Sequence, residues 1–204
     1  MKAKLGLFKN AYADPKKAAK TVGCEKHRKI SMQVAGKSVT LFKNKKKTIP
    51  LKLNYTQRVL VITTLAKKLV PTTDPIQCPE MLLNAIKKNH PNAQGHFTTM
   101  SPTAQDISKC VELAKNADVV IMATANAILR SQQAALIKAL VKELNSLKKP
   151  LVVVAMQSPH DIVEFPGIDT YLCTYELAND CMLAASDIIF GLCKPSGKLP
   201  VKIK

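Results

Sequence analysis

Tryptophan is absent from this 204-residue sequence, and Phe, Tyr and Trp together make up only 4% of it. Proteins that hold sugars or single-stranded nucleic acid by stacking need flat aromatic platforms, so a stacking-based binder is disfavoured. Glycine is scarce too, at seven residues. Neither GxGxxG nor GxxxxGK[ST] occurs, which argues against a dinucleotide or P-loop site, and we expect no cofactor. No apolar run approaches the ~18 residues of a membrane span. The first residues contain no signal-peptide core, although the start of a fragment would say nothing about export of its parent. The six cysteines, Cys24, Cys78, Cys110, Cys173, Cys181 and Cys193, include no CxxC pair and have no His at metal-ligand spacing. We therefore expect no metal site.

What is present is ample core material, with 47% hydrophobic residues, in a length suited to one domain with or without an arm. Acids are few: 31 Lys plus Arg against 14 Asp plus Glu leave a net charge of +17. Such a balance suits an anionic partner. However, only three of the bases are Arg, the residue suited to bidentate phosphate recognition, and the lysines are scattered except between Lys43 and Lys52. A solvated lysine-rich surface and no specific nucleic-acid partner are the expectation, with a standalone basic binding module for polyanions as the alternative. Several cysteines lie in apolar runs, as in Tyr171-Leu-Cys-Thr-Tyr175 and Ile189-Phe-Gly-Leu-Cys193. Unpaired thiols acting as small hydrophobes are expected, which favours a reducing compartment.

Along the chain, residues 1–23 read as an arm, with apolar Leu5-Gly-Leu-Phe8 followed by breakers at Asn10, Asp14-Pro15 and Gly23. Residues 25–42 are expected to be helical, with Ile30, Val34, Val39 and Leu41 on one face and Lys43-Asn44 closing the helix. Arg58-Val-Leu-Val-Ile-Thr63, Asp118-Val-Val-Ile-Met-Ala123 and Pro150-Leu-Val-Val-Val-Ala-Met156 are continuous apolar runs that suit strands buried on both faces. Residues 95–100 and 171–174 read as further strands. Helices are expected over 79–89, 103–117 (with Ser101-Pro102 at its start), 131–147 and 180–190, the last ending at Gly191. Pro195-Ser-Gly197 should turn tightly into an extended edge, Lys198 to Val201. Alternation of strand and helix over 150 residues predicts an α/β three-layer sandwich with a mostly parallel, doubly wound sheet flanked by helices. Ligands in such sheets favour loops at the carboxyl ends of strands, here Thr63-Thr64, Thr98 to Pro102, Thr124 to Arg130, Gln157 to Asp161 and Thr174 to Asn179.

Several stretches, in order and spacing, resemble one family. They are His27 to Leu51, Arg58 to Ile62, and Asp118 to Ala123 with Asn126 and Gln132. Pro159-His-Asp161, Phe165-Pro166, Tyr171 to Tyr175, and Ile189-Phe-Gly191 with Pro195-Ser-Gly-Lys-Leu-Pro-Val201 complete the set. Together they resemble the C-terminal domain of family 3 glycoside hydrolases, in the β-N-acetylhexosaminidase branch, over almost the whole chain. The resemblance implies that residues 1–23 are a linker arm leaving a (β/α)8 barrel and that residues 24–204 are the C-terminal domain. It also implies that the parent hydrolyses terminal β-N-acetylhexosaminides with retention, that the barrel is the domain's partner, and that the amino-sugar substrate is met through the complete enzyme. Members of this type are often exported, so the compartment is left open.

Retention requires a carboxylate nucleophile and a proton donor flanking the glycosidic bond. The resemblance implies that both reside on the barrel in this branch, and no glutamate here has the loop context of the glucosidase branch, so no catalytic residue is assigned. Candidates for a pocket rim or a barrel contact are Asn126, Gln132, Gln157, His160, Asp161 and Tyr175. Amides, an imidazole and a phenol suit hydrogen bonds to sugar hydroxyl and acetamido groups. His160 and Asp161 look like a catalytic pair, but neighbours in a turn point apart. The exposed apolar residues Leu5, Leu7 and Phe8 are expected to mark a barrel interface.

Overall fold

In the computed structural model, residues 1–64 and 79–203 are described. The three long apolar runs form strands with every residue buried: β2 (Val59–Thr64), β4 (Val119–Thr124) and β5 (Leu151–Ala155). β3 (Gln94–Thr98) and β6 (Thr170–Cys173) join them in parallel, and β1 (Thr40–Asn44) adds an antiparallel edge against β6. The six-stranded order is β1-β6-β5-β4-β2-β3. The fold is the expected mostly parallel α/β sandwich.

Period-two alternation divides the strand side chains between two cores. Val61, Ile121, Val154 and Leu172 face one layer, packed by α2 (Glu25–Ser38), α3 (Met81–Asn89) and α6 (Asn179–Ile189). Ile62, Met122, Val153 and Tyr171 face the other, covered by α4 (Ala104–Lys115) and α5 (Ser131–Ser146). Burying each Val, Ile or Leu contributes roughly 1.5–3 kcal/mol, so the two clusters dominate the stability. The chain runs β2–α3–β3 to one edge, then returns through α4 to β4 on the far side of β2. In such sheets ligands favour the carboxyl ends of the strands that flank the reversal.

Four local readings are corrected. The helix expected over 25–42 stops at Ser38, and Thr40–Asn44 is a strand, so Lys43-Asn44 closes no helix. Pairing with β6 overrides the helical spacing, and Asn44 instead exchanges side-chain hydrogen bonds with the Ile49 backbone (2.7 and 3.1 Å). Thr103, not Ser101-Pro102, caps α4, through a reciprocal capping box with Asp106. Residues 198–201 form no edge strand, and Pro195–Gly197 forms no tight turn. Gly197 is required by close approach: a Cβ there would collide with the carbonyl oxygens of Ser38 and Val39. Cys193 is exposed rather than buried in its apolar run.

Other expectations hold. Gly191 ends α6 at φ 78°. Cys110, Cys173 and Cys181 are buried free thiols, and burial pushes Cys110 up to about 11 and Cys173 up to about 12. Cys78 lies outside the described residues. Residues 1–23 contain turns and a short helix, α1 (Pro15–Thr21), which buries no residue.

Candidate functional site

The carboxyl ends of β4, β5 and β6 lie side by side, and a row of polar bonds ties their loops together. At the end of β4, the Thr124 hydroxyl donates to Asp161 Oδ2 (2.8 Å), and the Ile128 N–H donates to Oδ1 (3.2 Å). Asp161 is completely buried and lies beneath the rim rather than on it. Burial pushes its carboxyl above the ordinary range, against the opposing pull of the Ala127, Thr124 and Ile128 hydrogen bonds. Its role here is to lock the loop after β4 onto the short 3-10 segment Pro159–Glu164 that follows β5.

Above that anchor, Asn126 adopts a left-handed backbone at φ 52°, and its Nδ2 donates to Gln157 Oε1 (2.9 Å). Asn tolerates this conformation better than most residues. Both side chains are half-buried, and the pair keeps Asn126 Oδ1 and Gln157 Nε2 for other partners. His160 is half-buried beside them; its backbone N–H is held by the Ser158 hydroxyl at 3.3 Å. Past β6, Tyr175 also has a positive φ, 64°, and its hydroxyl donates to Thr40 Oγ1 (2.8 Å). It is half-buried and reaches back to β1, and burial raises its phenol above the ordinary value. Thr174 completes the row, its hydroxyl lying within 3.4 Å of the Ala155, Met156 and Glu176 carbonyls.

Gln132 is exposed and joins no part of this network. The amide that does so is its neighbour Gln133, fully buried, which accepts from the Ala125 N–H (3.1 Å) and donates to the Ala125 and Met100 carbonyls (3.1 and 3.0 Å). Helical spacing could have found it, because Gln133 lies at the centre of the face that carries Leu136, Ile137 and Leu140, whereas Gln132 lies at its edge. Thr63 and Thr64 are strand residues, both buried, with Thr64 donating to the Ala123 carbonyl. The structure thus brings Asn126, Gln157, His160 and Asp161 together across two loops, places Tyr175 at the next, and leaves Gln132 outside. Among the described residues no group of three or more His, Cys, Asp or Glu could hold a metal ion, and no helix is long and apolar enough to cross a membrane.

Comparison with known proteins agrees with this architecture. The chain is 26% identical over 219 aligned residues to a Formosa agariphila protein named "Putative beta-xylosidase", a match covering 98% of this chain and 29% of that protein. A solved fungal multi-domain family 3 β-N-acetylglucosaminidase is 30% identical, with TM-score 0.74 over 94% of this chain and 20% of its own. The family 3 β-N-acetylglucosaminidase of Paenibacillus sp. str. FPU-7 superimposes with TM-score 0.80 at 22% identity, over 98% of this chain and 36% of its own. A β-glucosidase from Listeria innocua gives 0.74 at 20% identity, over 97% and 30%. The last two likenesses speak to the fold. In each case the chain spans well under half the length of the protein it matches. Residues 39–204 match the Glycosyl hydrolase family 3 C-terminal domain, and the chain belongs to that family.

Proposed function

We propose that this chain is the C-terminal accessory domain of a family 3 glycoside hydrolase. Residues 1–23 would connect it to a (β/α)8 barrel on which residues 24–204 pack, and the parent would release terminal β-N-acetylhexosamine with retention. The observation that carries the reading is the family match over residues 39–204, in relatives that are each several times longer than the match. The chain alone is non-catalytic in this view. Retaining hydrolysis uses two carboxyl groups about 5 Å apart and open to substrate. In the loops above β5 and β6, Asp161 is sealed and bonded, and Glu176 Oε1 accepts from the Leu177 N–H (3.0 Å).

The amino-sugar assignment draws support from two points. Identity is higher with the fungal β-N-acetylglucosaminidase than with the Listeria β-glucosidase. The half-buried Asn126–Gln157 pair offers an amide acceptor and donor, which are the complements of an acetamido N–H and C=O. Assays with chromogenic N-acetyl-β-glucosaminide, β-xyloside and β-glucoside test both parts. The isolated chain should turn over none of them, and the protein encoded by the complete reading frame should prefer the first. Turnover by the chain alone would sink the accessory role; preference for xyloside or glucoside would sink the amino-sugar assignment alone.

A further inference from the structure

The pole opposite the candidate site carries a different feature. Residues 150–193, which supply the loops above β5 and β6, contain neither Lys nor Arg. At the amino-terminal ends of β5 and β6, by contrast, a cavity of about 300 Å³ opens between the turn after α5, the turn after β1 and the segment leading into β6. Leu144 and Ile168 are buried in its wall. Lys46, Lys148, Lys149 and Thr48 also line it, against a single carboxylate, Asp169. Lys46 is ion-paired to Asp169 (2.5 Å), and Lys149 Nζ donates to the Lys115 carbonyl (2.5 Å). The Lys148 ammonium makes no hydrogen bond or ion pair with any described residue.

Backbone geometry adds a second observation. After α5, the Lys149 N–H reaches the Leu144 carbonyl and the Lys148 N–H reaches that of Asn145 (2.8 and 3.2 Å). This is the Schellman arrangement, whose left-handed position is usually glycine. Lys148 occupies it at φ 54°. In the turn after β1, Lys47 is left-handed as well, at φ 53°. Lysine at a helix C-terminus complements the helix dipole, but that role is met anywhere in the last turn and needs no left-handed residue. Lys148 lines the cavity, and Lys47 stands between its lining residues Lys46 and Thr48; a left-handed lysine in that wall fits a site that keeps an ammonium for a ligand.

We propose that this cavity binds a small organic phosphate or sulfate ester, with its oxyanion among Lys46, Lys148 and Lys149 and its carbon skeleton against Leu144 and Ile168. The volume is at the lower end for small-molecule sites, and an ammonium meets an oxyanion as a point charge without bidentate geometry. The inference rests on the cavity and is independent of the glycosidase role proposed above.

Calorimetric titration of the purified chain with glucose 6-phosphate, inorganic phosphate and glucose, at about 50 mM salt, tests it. Saturable one-to-one binding of glucose 6-phosphate and none of glucose is expected. Inorganic phosphate binding as tightly as the ester would support the oxyanion site and identify the free ion as its occupant. Lys46→Gln/Lys148→Gln/Lys149→Gln should weaken binding about tenfold or more, while Lys16→Gln/Lys17→Gln/Lys20→Gln on α1, with the same charge change, should leave it within about twofold. Lys148→Gly should raise the melting temperature while weakening binding, because it relieves the left-handed strain and removes the ammonium. The proposal is overturned by absence of saturable anion binding, by equal weakening in both triple variants, or by unchanged affinity in Lys148→Gly.

Discussion

Asp161 is a carboxylate with no exposed surface, held by the Thr124 hydroxyl and the Ile128 N–H. Three hydrogen bonds favour its charged form and burial opposes it; burial prevails, so the folded-state pKa lies above the unfolded one. In the window between those values, the folded chain keeps a proton that the unfolded chain has lost. Stability therefore falls as pH rises through the window and is level above it. Denaturant titrations of the native chain and of Asp161→Asn, from about pH 4 upward, should show the native chain losing ground to the variant as pH increases. The opposite slope would mean that the hydrogen bonds outweigh burial. Asp161→Ala should cost about 3 kcal/mol at the acid end of that window, since it strands a buried hydroxyl and an N–H, and less as pH rises through it. At this scale the sequence is only partly legible. Asp161 and Thr124 are 37 residues apart, and nothing local indicates that they meet. Gln132 and Gln133 are chemically alike and separable only by helical phase, which assigns the buried role to Gln133.

At the scale of elements, strands buried on both faces were the clearest to read, because β2, β4 and β5 are unbroken apolar runs that no amphipathic helix shares. β1 is hidden in the sequence for the converse reason. Val39, Leu41 and Phe42 continue the apolar spacing of α2, and the strand state of Leu41 and Phe42 depends on β6, about 130 residues away. Moving the helix end to Ser38 also changes the face that α2 presents. Ala35 is its one buried residue, whereas Ile30 and Val34, one turn apart, are 48% and 61% exposed. Leu5 and Phe8 in the arm are exposed as well. Under the proposed function this apolar surface packs on the barrel. Ile30→Glu/Val34→Glu should then leave the melting temperature of the isolated chain within about 2 °C, since surface changes shift stability by little. The same change in the complete enzyme should lower its stability clearly. An equal, small effect in both would remove α2 from the interface.

Over the whole molecule, charge is the property that the fold distributes without neutralising. The chain carries +17. The ion pairs among described residues, Lys29–Glu25, Lys46–Asp169, Arg58–Asp118 and Lys115–Glu112, all retain solvent exposure. Exposed pairs of this kind contribute about 0–1 kcal/mol each, whereas 17 excess positive charges repel one another throughout a small domain. Repulsion acts over a Debye length of about 30 Å at 0.01 M salt and about 8 Å at 0.15 M, so salt relieves distant repulsion more than it weakens contact pairs. The melting temperature in sodium chloride should therefore rise between those two concentrations, by roughly 2–4 °C if screening returns about 1 kcal/mol. A fall would mean that attraction within the ion pairs outweighs the net charge. Phosphate at matched ionic strength separates screening from binding. If the lysine-lined cavity holds an oxyanion, phosphate should stabilise the chain beyond sodium chloride. That excess should disappear in Lys46→Gln/Lys148→Gln/Lys149→Gln but persist in the α1 triple variant.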